Sequence, residues 1–214
     1  MNSAVIVAGG LGTRFGDKIP KQFIKIDGQE ILSFSVNKFL EHPQIDEVII
    51  VSHPKWMNHV SKEYPDCQVV RGGKRRQDSS LNGVFAVNSE SINIIIHDAA
   101  RPFVSNKIIS DCVSALETFD ASAPIIPSTD SLIKWNGQKA SYVNRSDIQI
   151  VQTPQCFKKQ IITAILKSDI IGTDEIGMLL RLNPKLKLKF IKGSIENIKI
   201  ANKNDLNYFS NTII

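Results

Sequence analysis

The amino-terminal segment combines a glycine-rich loop with two cationic side chains, a pattern that suits phosphate chemistry. Gly9, Gly10 and Gly12 follow a short apolar stretch that predicts a strand, and glycine permits turns that aim backbone N–H groups at an anion. Arg14 adds a planar fork of donors, and Lys21 adds a compact charge from beyond the loop. This combination favours a triphosphate over a neutral ligand. A structural strand-to-helix turn with surface cations is the alternative.

Two better-known glycine loops do not match this segment. The dinucleotide fingerprint requires glycine or alanine three places after Gly12, where Phe15 stands. The Walker loop requires glycine and lysine followed by serine or threonine, whereas Gly16 precedes Asp17 and Lys18. Hydride transfer from a dinucleotide and P-loop ATPase chemistry are therefore both disfavoured.

Two further polar segments follow predicted strands. Gly72 and Gly73 open a stretch that leads to Ser79 near a helix start, either as a loop for a base or phosphate or as a plain capped helix. Asp98 follows a buried strand, at the end where open α/β sheets bind ligands. It can ligate magnesium, which takes one or two carboxylates beside phosphate oxygens, or cap the next helix. Arg101 is either a phosphate contact or the ion-pair partner of Asp98.

The elements between these loops must position them, and their order predicts the fold. Apolar spacing indicates strands and helices in alternation, from a strand at 4–7 and a helix at 31–40 to a buried strand at 92–96. Such alternation is typical of a Rossmann-like, doubly wound, mostly parallel α/β sheet. Residues 127–152 break the alternation and predict a β-arm, covered by a partner subunit or folded over its own domain. We expect a single domain over 1–214 and a homodimer formed through the arm.

Composition limits the classes of function. A chain of 214 residues with 42% hydrophobic and 22% charged residues is ordinary for one globular domain. The net charge of +5 lies on no basic helix or aromatic-rich stripe, so we expect acidic small molecules and no nucleic acid as partners. Cys67, Cys112 and Cys156 lack metal-ligand spacing, which indicates reduced packing residues of a cytoplasmic protein. No apolar run reaches membrane-spanning length, so we expect no membrane partner.

The motifs, taken in their order and spacing, resemble those of one family. Over residues 4 to about 209 the chain is similar to the 2-C-methyl-D-erythritol 4-phosphate cytidylyltransferases, through AlaGlyGlyLeuGlyThrArg with ProLysGln, HisAspAlaAlaArgProPhe, GlnThrProGln, ThrAspGlu and AsnIleLysIle. The ribitol 5-phosphate cytidylyltransferases share most of these motifs. That family usually has valine at the position of Ala100 and glycine before GlnThrProGln, where Val151 stands here. ThrAspGlu also matches the motif pattern of the erythritol family rather than that of the ribitol family.

The resemblance implies a reaction and a set of site residues. A phosphate oxygen of the sugar-alcohol phosphate attacks the α-phosphorus of CTP, with Mg²⁺ held by Asp98 and with no covalent enzyme intermediate. A catalytically silent nucleotide-binding protein on the same fold is the alternative. The implied residues are Arg14, Lys21 and Lys199 for catalysis, Ala8, Gly9, Gly10, Gly12, Gly73, Lys74, Ser79 and Asp98 for the nucleotide, and Ser131, Arg145, Thr153 and Thr173 for the sugar-alcohol phosphate.

Two features qualify this assignment. Arg145 lies in the predicted arm, so the resemblance implies an active site shared between two subunits. The chain also departs from the family pattern, because Ala201 and Asn202 follow AsnIleLysIle where threonine is common, and Ser131 replaces a usual threonine. A lost hydroxyl contact is worth about 0.5 to 1.5 kcal/mol, so we expect altered substrate handling at most.

Overall fold

A computed structural model describes residues 1–10 and 19–213, with side chains through residue 208. Gly12 and Arg14 of the predicted phosphate loop lie outside the described residues. The strands are β1 (Asn2–Ala8), β2 (Lys25–Ile26), β3 (Gln29–Glu30), β4 (Glu47–Ser52), β5 (Gln68–Arg71), β6 (Asn93–Asp98), β7 (Ala121–Pro127), β8 (Leu132–Trp135), β9 (Ala140–Val143), β10 (Gln149–Val151), β11 (Gln155–Lys158) and β12 (Leu188–Lys192). The helices are α1 (Ile31–Leu40), α2 (Met57–Glu63), α3 (Arg76–Ala86), α4 (Asn106–Ala115), α5 (Lys159–Lys167), α6 (Glu175–Leu182) and α7 (Lys203–Ile213), with 3-10 turns at Lys21–Phe23, Pro54–Trp56 and Arg145–Asp147.

A sheet of eight strands forms the centre of the protein. Its order is β10-β7-β11-β6-β1-β4-β5, and β12 also pairs with β7. The pairs of β1 with β4 and β6, of β4 with β5 and of β7 with β12 are parallel, whereas β10 and β11 run antiparallel to their neighbours. The predicted mostly parallel, doubly wound sheet is confirmed. Strand β11 was not predicted, because a strand of four residues behind a proline has too short a pattern to reveal its long-range pairing.

Helices cover both faces of the sheet. On one face, Phe39 of α1 and Ile109 of α4 pack in a cluster with Ile6 of β1. On the other face, Ile165 of α5 packs in a cluster with Val5, the neighbour of Ile6 on the same strand. Successive side chains of a strand point to opposite faces, so β1 contributes to both halves of the core. The loops that follow β1 and β6 therefore start from strands buried at the centre of the sheet.

The segment predicted as an arm leaves the central sheet and then returns to it. Strands β8 and β9 pair only with each other in the described chain, and β10 rejoins the sheet antiparallel to β7. Three large side chains of the hairpin, Ile133, Trp135 and Tyr142, are 65%, 59% and 78% exposed. The hairpin therefore does not bury these side chains against its own domain.

The three cysteines are packing residues inside the protein. Cys67, Cys112 and Cys156 are unpaired and buried, as predicted. Burial raises the pKa of the Cys67 thiol to about 11, so this side chain stays a neutral packing group. Within residues 1–10 and 19–213, no helix combines the length and the apolar character that crossing a membrane requires.

Helix α3 lies closer to the sheet than a side chain would allow. A Cβ added at Gly83 would lie 2.3 Å from Cγ1 of Val5 and 2.8 Å from Cγ2 of Val51. We expect Gly83→Val to lower the free energy of unfolding by about 2 kcal/mol or more, because α3 must move off the sheet. Chemical denaturation measures this change. Asn82→Val, at an exposed position of the same helix, is the control and should cost about 1 kcal/mol for one lost hydrogen bond. Equal losses in the two variants would contradict the close packing.

Candidate active site

A cavity lies at the carboxyl ends of β1 and β6, where the winding of the sheet reverses. Its volume is about 230 Å³. The loops after β1 and β5, the end of β6 and the segment before α7 all border this cavity. The predicted residues that line it are Ala8, Gly9, Gly10, Lys21, Gly73, Lys74, Ser79, Asp98 and Lys199.

Gln22 holds the backbone of the first glycine loop, although the sequence analysis assigned it no role. It lies buried in the 3-10 turn that follows Pro20. Its side-chain Nε2 donates to the carbonyl oxygens of Ala8 and Gly10 at 2.7 and 2.8 Å. The C=O and N–H of a trans peptide point in opposite directions, so the N–H of Gly9 points away from Gln22. The glutamine therefore orients the loop before any anion binds.

The second glycine loop lies directly against the first. A Cβ added at Gly72 would lie 3.3 Å from Cα of Gly9, so this close approach favours glycine. The Ser79 hydroxyl, inside α3, accepts the N–H of Gly73 at 3.0 Å and so ties the loop to the helix. The loop lines the cavity and α3 also has a capping contact between Arg75 and Asp78, so a base or phosphate loop stays a prediction beside the capped helix start.

Asp98 is the anionic centre of the site. Its Oδ1 accepts from Nε of Arg76 at 3.1 Å and its Oδ2 accepts from Nζ of Lys199 at 2.7 Å, while Nε of Arg101 lies 3.8 Å from Oδ2. Burial alone would raise the pKa of Asp98, but these three cations overcome it and hold that pKa far below its usual range. Arg101 is therefore an ion-pair partner. Asp98 does not cap α4, because Ser105 does so by accepting an N–H of its first turn at 3.3 Å.

The donor set at Asp98 fits magnesium better than zinc. Among the described residues, no three side chains of His, Cys, Asp or Glu converge as a ligand cluster, which a structural zinc site would need. Magnesium needs only one carboxylate from the protein, because phosphate oxygens and water supply its other ligands. Asp98 is ionised and lines the cavity, and its Oδ2 partner Lys199 has a side chain that is 42% exposed. Asp98 is therefore the carboxylate of the cavity that would hold a divalent cation arriving with a triphosphate.

His97 belongs to the framework of the site. The Thr153 hydroxyl accepts the N–H of Asp98 at 3.1 Å and lies 3.1 Å from Nδ1 of His97, to which it donates. Nε2 of His97 then donates to the carbonyl oxygen of Arg101 at 3.1 Å, since a carbonyl only accepts. Burial lowers the pKa of His97 to about 4, which agrees with a neutral ring. Thr153 thereby positions Asp98, a contact that the sequence analysis did not foresee.

Lys199 is held in place by contacts rather than by secondary structure. Asn197, two residues earlier, donates from Nδ2 to the carbonyl oxygen of Thr153 at 2.9 Å. The Asn197 carbonyl accepts from Nε2 of Gln152 at 3.2 Å and from a terminal nitrogen of Arg101 at 2.7 Å. GlnThrProGln and AsnIleLysIle, which are uninformative one at a time, thus form one structural unit.

Lys21 reaches the same segment from the opposite side of the cavity. Its ammonium donates to the carbonyl oxygen of Ile200, the residue next to Lys199. The N–H of Ile200 donates in turn to the carbonyl oxygen of Ala100 at 2.8 Å. Two lysines that are far apart in the sequence thus line one cavity, as predicted.

A second cavity of about 270 Å³ adjoins the first. Thr153 and Thr173, both predicted to bind the sugar-alcohol phosphate, line this second cavity. Asp98 and Lys199 line both cavities, together with Arg76. The protein therefore presents two adjoining anion-sized spaces with a common charged wall.

The two predicted residues of the arm lie elsewhere. Neither Ser131 nor Arg145 is among the residues that line the two cavities within the chain. A terminal nitrogen of Arg145 donates to the carbonyl oxygen of Thr129 at 2.8 Å instead. A single chain thus brings together the described part of the predicted nucleotide site but leaves out the arm residues.

The fold and the cavity define the class of protein. A mostly parallel sheet with glycine loops at the carboxyl ends of its strands, facing lysines and one buried carboxylate, is an α/β nucleotide-binding domain of the nucleotidyltransferase type. A family model described as 2-C-methyl-D-erythritol 4-phosphate cytidylyltransferase matches residues 2–213. The chain belongs to this family, and the resemblance seen in the sequence is confirmed.

Individual relatives agree with this membership. The chain is 37% identical over 227 residues to the 2-C-methyl-D-erythritol 4-phosphate cytidylyltransferase of Clostridium acetobutylicum, covering 100% of this chain and 97% of that protein. It is 34% identical over 220 residues to the bifunctional ribulose 5-phosphate reductase/CDP-ribitol pyrophosphorylase Bcs1 of Haemophilus influenzae, covering 96% of this chain and 46% of that one. The crystal structure of 4-diphosphocytidyl-2C-methyl-D-erythritol synthase from Anaerococcus prevotii superimposes with a TM-score of 0.87 at 24% identity, covering 100% and 95% of the two chains. This last likeness supports the fold.

The contacts of Gln22 make a testable prediction. We expect Gln22→Ala to weaken CTP binding about tenfold, because two loop carbonyl groups lose their donor and the loop loses its fixed orientation, a cost of about 1–3 kcal/mol. Isothermal calorimetry with CTP and Mg²⁺ measures the change. Gln29→Ala, at an exposed position of the nearby β3, is the matched control and should bind like the unmodified protein. Unchanged affinity in Gln22→Ala would show that the loop is oriented without this side chain.

Proposed function

We propose that this protein transfers the cytidylyl group of CTP to 2-C-methyl-D-erythritol 4-phosphate and releases pyrophosphate. The observation that carries the proposal is the pair of adjoining cavities with Asp98 and Lys199 in their common wall. A triphosphate in the first cavity and an acceptor phosphate in the second would meet at these residues. Family membership names the substrates that fit the two spaces.

The chemistry needs alignment and charge neutralisation rather than a proton acceptor. The acceptor phosphate has a second pKa near 6, so its oxygen is already ionised at neutral pH and attacks the α-phosphorus directly. One P–O bond forms while the bond to pyrophosphate breaks. Lys21 and Lys199, with Arg14 from the undescribed loop, are proposed to stabilise the added negative charge. When bound at Asp98, Mg²⁺ supplies further neutralisation of the triphosphate.

The space between the glycine loops is proposed to receive the cytosine base. Backbone groups of Ala8, Gly9, Gly73 and Lys74 border it and offer donors and acceptors at fixed positions. Ser79 contributes by holding the N–H of Gly73 rather than by a free hydroxyl.

A coupled pyrophosphate-release assay tests the reaction. With Mg²⁺ and CTP, we expect turnover with 2-C-methyl-D-erythritol 4-phosphate and at least tenfold lower kcat/KM with ribitol 5-phosphate.

We expect Lys21→Ala to lower kcat about a hundredfold or more, as for loss of one transition-state donor, without unfolding the protein. Lys25→Ala, at an exposed position of β2 in the adjoining hairpin, is the charge-matched control and should retain normal kcat.

Each contrary outcome of this assay has a distinct meaning. Faster turnover with ribitol 5-phosphate would favour the ribitol 5-phosphate cytidylyltransferases. The Haemophilus influenzae relative carries the name CDP-ribitol pyrophosphorylase. Binding of CTP without release of pyrophosphate from either acceptor would indicate a silent nucleotide-binding protein. Near-normal kcat in Lys21→Ala would remove this lysine from the catalytic group.

The hairpin of β8 and β9 is proposed to complete the site of a second subunit. Ile133, Trp135 and Tyr142 present apolar surface of the kind that a partner covers. Ser131 and Arg145 line neither cavity of their own chain, yet the sequence resemblance implies that they bind the sugar-alcohol phosphate. A dimer that exchanges hairpins would give each acceptor cavity an arginine from the partner.

Mixing two inactive variants tests this exchange. Lys21→Ala and Arg145→Ala each lack one part of the site, but a mixed dimer would contain one site with both residues intact. After denaturation and joint refolding, we expect about a quarter of normal activity, since half of the dimers are mixed and half of their sites are complete. If Arg145 acts within its own chain, the mixture will be as inactive as the separate variants.

A further inference from the structure

Arg76 is the cation between the two cavities to which neither motif nor family assigned a role. It occupies the first position of α3 and lines both spaces. One terminal nitrogen of its guanidinium donates to both carboxylate oxygens of Glu175 at 2.6 Å, and its Nε donates to Oδ1 of Asp98 at 3.1 Å. Arg76 thus joins the site carboxylate to a second carboxylate deeper in the protein.

The location of Arg76 is unfavourable for the helix that carries it. The first turn of a helix has a partial positive charge, which favours acidic side chains over basic ones. Burial also lowers the pKa of Arg76, but the facing carboxylates of Asp98 and Glu175 overcome this effect and raise that pKa above its ordinary value. The arginine is therefore a permanent cation whose position is set by the two carboxylates and not by α3.

Glu175 is a rigid support for this arginine. Its side chain is 1% exposed and accepts a further hydrogen bond from the Ser80 hydroxyl at 2.6 Å. Its backbone N–H donates to Oε1 of Gln155 at 3.1 Å, and Nε2 of Gln155 donates to Asp174 at 2.7 Å. ThrProGln and ThrAspGlu thereby meet behind Arg76. The most exposed member of the charged group is instead Lys199, whose side chain is 42% exposed.

We propose that Arg76 is a positioning residue that releases Lys199 for the nucleotide. Arg76 and Arg101 together balance the charges of Asp98 and Glu175, so Lys199 can leave Asp98 without uncovering a buried anion. Without Arg76, Glu175 has no cationic partner among the described residues and Asp98 keeps Arg101 alone beside Lys199, so the two buried negative charges retain Lys199. This inference rests on the proposed function, because it assigns Lys199 to the phosphates of CTP.

The charge balance predicts an unusual pattern in a double-variant cycle. We expect Arg76→Met to lower kcat about thirtyfold or more, with CTP affinity reduced about fivefold at most. Arg76→Lys, which keeps the charge, should recover at least about a third of the loss on a logarithmic scale. The double variant R76M/E175Q should be about tenfold faster than R76M, because a single carboxylate again faces Arg101 and Lys199 is released. Steady-state kinetics, CTP calorimetry and thermal unfolding are measured for each variant.

The control and the contrary outcomes separate positioning from structure. The control is Arg181→Met, which removes an exposed cation near the carboxyl end of α6. The Arg181 side chain donates to the carbonyl oxygen of Ile171, and this variant should keep normal kcat. If Arg76 were merely structural, the kcat of R76M and of R76M/E175Q would follow their thermal stability, whereas the proposal expects R76M to be slow while it is still fully folded. A kcat of R76M within threefold of normal would also overturn the proposal. If R76M does not unfold cooperatively, Arg76→Gln replaces it in the same cycle.

Failure of the proposed function is distinguishable from failure of this inference. An unmodified protein that releases no pyrophosphate with either acceptor refutes the function. In that case the affinity for CTP tests the role of Arg76. A lower affinity in R76M that R76M/E175Q restores would support the role, and equal affinity in the unmodified protein and both variants would refute it.

Discussion

The buried carboxylate of Asp98 and the cations around it are the interaction on which the rest of the site depends. Water is largely excluded there, so an ionised Asp98 requires positive partners, and Arg76, Arg101 and Lys199 supply them. These cations would repel one another without the carboxylate. Asp98 therefore holds positive charge in the wall that the two cavities share, before any ligand has bound.

The sheet explains why this charge can be held so tightly. Asp98 ends β6, whose whole length pairs with β1, and the N–H of Asp98 is fixed by Thr153 just before β11. Arg76 and Glu175 begin two different helices that meet at the same edge of the sheet. Strand β6, the segment before β11 and two helices on the Val5 face of the sheet thus converge on one carboxylate. By contrast, Lys199 lies on a segment without regular structure, which suits a side chain that changes partners.

Much of the fold and part of the site could be predicted from the sequence. Alternating apolar patterns predicted the parallel sheet, because local periodicity reflects which side of a strand or helix is buried. The glycine loops, Lys21 and Asp98 could be predicted because their chemistry is visible in the residue types themselves. Strand β11 could not, since four residues carry no distinctive period and its pairing partners are distant in the chain. Gln22 could not either, because a single glutamine gives no sign of which carbonyl groups it will reach.

The sequence by itself determined the class of chemistry, since glycines, lysines and one aspartate at strand ends suffice to suggest a site for phosphates. Only the tertiary structure decided how the charges are distributed among them. Arg76 and Glu175 lie 99 residues apart, and no pattern in either segment indicates their pairing. The strength of such a pair depends on burial and distance, and both arise only when the two helices pack at one end of the sheet. The tertiary structure also decided the exposure of the β8–β9 hairpin. Its apolar side chains indicate a surface for a partner only because its own domain does not cover them.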